Sequence, residues 1–288
     1  MALTEQSGIS VAEIIIYTPA LSIALWLSIR HGFKRSSGWI YLLLFSTVRI
    51  VGSALQLAAA SSRPPNVGLY IGAATLQTIG LTPLILALLG LLGRALESIR
   101  RTAPNFPLSA KHLRLTGLVV TVALILGSIG ASQARQAMSE TGQYEPGSLS
   151  KAGTALTIVA YVLLAASTAL CGLQSSHAEP GEKRLLLAIA VALPFLLVRL
   201  IFAALTTFSN SGSFSMMNGS VNVRLGMAII MEMVVVAIIE GIGLTVQKRP
   251  SPMTAEHGPL RQSDEDTSYP MEEGQQWKYS NRSRNGAV

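Results

Sequence analysis

Seven apolar stretches dominate this 288-residue chain, at about 11–30, 39–60, 69–92, 113–131, 152–173, 184–208 and 221–247. Each is roughly 19–27 residues long, and a hydrocarbon core about 30 Å thick takes about 20 helical residues to cross. Backbone polar groups in lipid must be satisfied within their own segment, so each stretch is predicted to be α-helical. The expected fold class is an all-α integral membrane protein, a seven-transmembrane-helix bundle. Charged residues make up 13% of the chain, against about 25% in a soluble domain. That argues against a soluble enzyme, a nucleic-acid-binding domain or a secreted disulfide scaffold. Interior prolines are expected to kink spans one and six at Pro19 and Pro194, and Pro83 can do the same in span three.

The remaining charge orders the chain across the membrane. Residues 1–249 carry 18 basic and 9 acidic side chains, and residues 250–288 carry 4 and 6. The loops after spans one, three, five and seven hold 12 basic residues, among them Arg94, Arg100, Arg101, Lys111 and Arg114; the other side holds Arg63, Arg135 and Lys151. The positive-inside rule then gives an N-out, C-in topology. Residues 1–10 are expected to be a short extracytoplasmic N-terminus, 11–249 the membrane domain, and 250–288 a disordered cytoplasmic tail. Asn218 heads a glycosylation sequon on the expected outer side. Trp26, Trp39 and Tyr41 fall where interface aromatics do.

Spans two and six share a pattern, F-x-x-V-R-[IL]-[VI]-x-x-A-L, running from Phe45 to Leu55 and from Phe195 to Leu205. Its offset suggests a parallel 3+1+3 repeat with span four as the inverting linker, as in some transporters.

Six ionisable residues fall inside spans: Glu13, Arg49, Arg199, Arg224, Glu232 and Glu240. A charge at mid-bilayer costs at least about 2.5–3.5 kcal/mol, so each should pair or face water. Arg49 and Glu232 match in depth and are expected to form the central pair. Gln56 lies seven residues after Arg49 on the same helix face, with Ser53 between them; Gln77 lies at similar depth in span three, and Tyr17 and Thr206 add further polar groups. Arg49, Gln56, Gln77, Arg199 and Glu232 would line a polar cavity in the outer half and bind a ligand there. The same charges could instead form a structural salt-bridge network. A proton relay is less well supported, because no run of closely spaced acids or histidines is visible.

Other chemistries lack their residues. No lysine lies mid-span for a retinal Schiff base, and the single Cys171 and four histidines form no intramembrane metal site. No phosphate-binding or hydrolase motif is present, so no cofactor is expected. Gly68, Gly72, Gly90 and Gly93 allow close helix packing. The basic 94–114 stretch could meet anionic headgroups.

Val48-Arg49-Ile50-Val51-Gly52, Gly80-Leu81-Thr82-Pro83-Leu84 running to Gly93-Arg94, the Pro194–Arg199 stretch and Met231-Glu232 together resemble a fungal family of seven-helix integral membrane proteins of unknown function. The resemblance spans residues 10–247. It implies the seven-helix fold and, weakly, a link to metabolite gene clusters; it brings no catalytic residues. In size and topology the chain is also similar to fungal lipid-translocating exporter-like proteins, and in size to fungal membrane-bound terpene cyclases.

The leading functional expectation is a non-enzymatic multi-pass membrane protein that binds or transports a small amphipathic molecule, a lipid or a secondary metabolite. Its partners would be membrane lipids and that ligand, with no nucleic acid. One alternative is an intramembrane terpene cyclase with Glu13, Glu232 or Glu240 as catalytic acid; another is a seven-helix receptor. Nothing in the spans chooses between plasma membrane and endomembranes, or sets the oligomeric state.

Overall fold

The computed structural model describes residues 5–32, 37–62, 66–103, 106–141, 146–174, 180–208 and 221–246, and these residues form helices and short connections with no strand among them. The helices are α1 (Glu5–His31), α2 (Ser37–Ser61), α3 (Val67–Ile79), α4 (Leu81–Thr102), α5 (Ala110–Thr141), α6 (Ser148–Leu173), α7 (Pro180–Phe208), α8 (Val221–Arg224) and α9 (Met231–Thr245), with a π-helical segment, Leu225–Ile230, joining α8 to α9. Seven helical stretches are long and apolar enough to cross a membrane, with α3 and α4 sharing one of them. The helical unit is Met1–Lys248. Asn218 and the tail at 250–288 lie outside the described residues.

Helix α1 starts at Glu5, inside the stretch assigned from sequence to a short N-terminus. Neither Pro19 nor Pro194 ends its helix. Span three is divided, between α3 and α4, three residues before Pro83. Pro83 has no N–H to donate to the carbonyl of Ile79, four residues back. The hydroxyl of Thr82 donates to that carbonyl at 3.2 Å, and the chain turns at Gly80 between α3 and α4. At its other end α3 is capped by Asn66, whose side chain accepts from the N–H groups of Gly68 and Leu69 at 3.0 and 3.3 Å.

Helix α4 occupies the middle of the bundle. It packs against α2, α3, α5, α6 and α7, and Leu81 through Leu89 are buried without a break. The outer helices bury one face and turn leucine, isoleucine and valine outward, as Leu115, Leu118, Val122 and Ile125 do on α5. A surface of this kind suits lipid rather than water. Trp26 fits the interface reading: it is half-exposed, and the Arg30 guanidinium lies 4.8 Å from its ring centre. Trp39 corrects it. Its ring is fully buried, stacks on His31 at 5.6 Å and closes over Gly243, where a side chain would collide with it.

Apolar side chains gain little by leaving lipid for one another, so helix contacts in membranes lean on small residues that let backbones approach. Helices α5 and α6 meet this way. A Cβ on Gly153 would lie 2.5 Å from the backbone nitrogen of Gly127, whereas a Cβ on Gly127 would meet nothing within 4 Å. Gly153→Ala is therefore expected to lower the thermal unfolding midpoint in detergent micelles, with an overpacking penalty of about 1–3 kcal/mol. Gly127→Ala should be neutral or raise it, since alanine is the better helix former. Equal melts for the two variants would refute this packing account.

Candidate functional site

Four charged side chains from four helices meet in the core. Glu13 comes from α1, Arg49 from α2, Arg199 from α7 and Glu232 from the first turn of α9. Their exposures are 2%, 3%, 4% and 0%, so none is balanced by bulk water. They form a chain of alternating sign. Arg49 Nη1 reaches Glu13 Oε1 at 3.4 Å, and Arg49 Nη2 contacts Glu232 Oε2. Arg199 Nε donates to the other Glu232 oxygen at 2.6 Å. Ser53, one turn beyond Arg49 on α2, donates its hydroxyl to Glu13 Oε2.

Local sequence builds this arrangement. Gly80 leaves room for the Arg49 guanidinium: a Cβ there would lie 2.7 Å from Arg49 Nη2 and 3.1 Å from its Cζ. Phe45, one turn before Arg49, lies 5.6 Å from the guanidinium carbon and meets the Tyr17 ring edge-on. The Tyr17 hydroxyl is buried with no hydrogen-bond partner. The two arginines of the F-x-x-V-R pattern thus converge on one carboxylate. Their ring contacts differ, however, since Arg199 lies over Phe202, on the opposite side along its helix.

Two further intramembrane charges flank the chain. Arg224 lies within electrostatic reach of Glu13 and Arg49, and its Nε has no hydrogen-bond partner. Glu240 is buried two turns along α9 from Glu232, with Oε1 unbonded. Gln56 is buried and Gln77 is half-buried against Gly52. Neither is among the residues lining the cavity described next.

That cavity, about 70 Å³ in volume, lies between the start of α4 and helices α5, α6 and α7, with Arg199 in its wall. Arg199 bonds through Nε alone, and neither Nη has a hydrogen-bond partner among the described residues. Hydroxyl groups of Thr82, Ser128, Thr154, Thr157, Thr206 and Thr207 share the lining. Most donate back to their own helices: Ser128 to Leu124 at 2.6 Å, Thr157 to Gly153 at 2.8 Å, Thr206 to Ala203 at 2.8 Å. Their oxygen lone pairs remain as acceptors. The cavity therefore offers one cationic donor fork and a ring of neutral acceptors.

A second buried set escaped the sequence reading. Arg94, counted there among loop residues, is buried on α4; its Nε donates to Glu182 on α7 at 2.8 Å and its Nη1 lies 3.3 Å from His31 Nδ1 on α1. Arg135, also assigned to a loop, is buried on α5 and donates to Thr75 at 3.0 Å. The helices run on past the apolar windows, so charges just beyond a window still lie inside the bundle. The signal available was length: Ala110–Thr141 is 32 residues, longer than a membrane crossing requires.

A family model described as a domain of unknown function, DUF7702, matches residues 3–249 and so covers all seven spans. No curated protein and no solved structure matches the chain.

The alternating chain makes a specific demand on double variants. Glu13→Gln with Arg49→Gln leaves the Arg199–Glu232 pair intact. Arg49→Gln with Glu232→Gln removes one charge of each sign as well, but strands Glu13 and Arg199 on separate helices. Stranding a buried ion costs about 3–5 kcal/mol, so the second double variant, which strands two, should be less stable by at least about that much in denaturant unfolding of micelle-solubilised protein. Equal stabilities would show that the four charges do not act as a chain.

Proposed function

The chain belongs to this family of unknown function, so its activity has to be read from the site, and we propose that it binds or moves a small amphipathic molecule whose polar head enters the Arg199 cavity. The observation that carries this reading is a buried guanidinium whose one hydrogen bond among the described residues is made through Nε while its side chain lines a hydroxyl-rich space. The size is informative. The cavity of about 70 Å³ is about half the roughly 150 Å³ of an engineered apolar cavity that takes benzene. It suits a head group rather than a whole ligand. A carboxylate, phosphate oxygen or carbonyl would accept from Arg199, and a hydroxyl or amine on the same head would donate to the threonine oxygens. The apolar remainder would lie between helices or in lipid.

The proposed topology is N-out and C-in, because the described basic residues concentrate at the end of the bundle holding the C-terminus of α4 and the N-termini of α5 and α7. The cavity, beside the C-terminal part of α7 and the N-terminal part of α6, would then open toward the outer leaflet. Binding supports this reading better than proton-transfer catalysis. Two of the three acids considered for catalysis, Glu13 and Glu232, already accept from guanidinium and hydroxyl donors, whereas a catalytic acid needs its proton free for the substrate; the third, Glu240, lies two turns along α9 and is not among the residues lining the cavity.

Native mass spectrometry of protein purified in mild detergent tests the proposal. Wild type is expected to carry a defined small adduct, and Ala203→Leu, which fills the cavity away from the ion chain, is expected to lose it while keeping its melting temperature. A wild type carrying only bulk lipid, or an adduct indifferent to Ala203→Leu, would sink the reading.

A further inference from the structure

A larger cleft lies elsewhere, between α4 and α5 at the basic end, with a volume of about 970 Å³. Its walls are apolar: Leu86 and Leu89 from α4 and Leu113 from α5 are buried, and the exposed Leu118 stands at its edge. Gly117 widens it, since a Cβ there would already touch Leu89 at 3.5 Å. Its mouth is cationic. Arg100 and Arg114 are exposed at the rim, while Arg101 is held by Glu97 at 2.8 Å. Arg94, deeper in, is engaged with Glu182.

We propose that this cleft holds one anionic phospholipid, its phosphate on Arg100 and Arg114 and an acyl chain along the leucine wall. Three observations select that occupant. The rim carries three arginines against one glutamate, and guanidinium forks match phosphate oxygens. Charge and grease are ordered along one axis, as in a lipid and unlike a free phosphate, which has no use for the wall. The length also fits: Arg100 to Leu86 spans 14 residues of α4, about 21 Å at 1.5 Å per residue, enough to cross the roughly 15 Å of one leaflet's hydrocarbon and reach its headgroups. The site is separate from the Arg199 cavity and does not depend on the function proposed there.

The test uses the full chain in detergent micelles, titrated with dioleoylphosphatidylserine or dioleoylphosphatidylcholine and followed by native mass spectrometry and thermal melting. One phosphatidylserine per protein should survive gas-phase activation and raise the melting temperature, with phosphatidylcholine much weaker. Arg100→Gln with Arg114→Gln should weaken phosphatidylserine binding about 25-fold, about fivefold for each arginine near a lipid surface. Gly117→Leu should abolish it by filling the cleft. Because Arg100 and Arg114 are exposed, the arginine variant decides the matter even where Gly117→Leu fails to fold. Equal binding of the two lipids, an unchanged affinity in the arginine variant, the same stabilisation by inorganic phosphate alone, or a lipid-free dimer closed through this cleft would each overturn the proposal.

Discussion

One carboxylate shared by two arginines organises the centre of this bundle. Glu232 is wholly buried, in ionic contact with Arg49 at one oxygen and accepting from Arg199 on the other. Two cations on one anion would leave a net positive charge in a medium where an ion costs several kcal/mol. Glu13 restores neutrality by joining Arg49 from α1. Neutrality thus requires four helices, α1, α2, α7 and α9, to present one residue each at one depth, and rotating any of them by a residue would break the set. Buried ion pairs add little net stability against apolar packing but penalise every wrong arrangement. Specifying registry is the role best suited to this chain of charges.

The broken third span is coupled to the same centre. A side chain at position 80 would push a Cβ into the Arg49 guanidinium. Glycine removes the obstruction, and Pro83 with Thr82 settles where the hydrogen-bond ladder reorganises. After that break α4 becomes the most enclosed helix of the bundle, in contact with five others. It carries one wall of the Arg199 cavity near its N-terminus and one wall of the arginine-rimmed cleft near its C-terminus. Both candidate sites therefore lie against the helix least able to move independently.

The division between what sequence made legible and what it did not follows from the solvent. The seven spans were legible because lipid forces both length and composition on a crossing helix. The intramembrane charges were legible because they are rare and costly there; depth alone matched Arg49 with Glu232. Rotation about each helix axis was not legible. Glu13 pairs with Arg49, a partner that depth does not single out; Gln56 shares a face with Arg49 in projection, yet is not among the residues lining the Arg199 cavity. Hydropathy also ended the third span at residue 92, hiding Arg94 and its partner Glu182, which remain inside the bundle. Trp39 was misread for a related reason: position near a span end suggests an interface, but His31 and Gly243 enclose its ring.

Electrostatics distinguishes the Arg199 cavity from a packing flaw. The ion chain is neutral by itself, so an anionic head on Arg199 would leave the centre one charge negative. Arg224 lies within reach of Glu13 and Arg49, at the end of the chain away from Arg199, and its Nε has no hydrogen-bond partner among the described residues. Glu240, the remaining buried charge, lies two turns away along α9. A purely structural network would gain by bringing Arg224 and Glu240 together, and the fold instead holds them on opposite sides of Glu232. The two flanking charges therefore stay apart, Arg224 at the Glu13–Arg49 end of the chain and Glu240 two turns beyond Glu232.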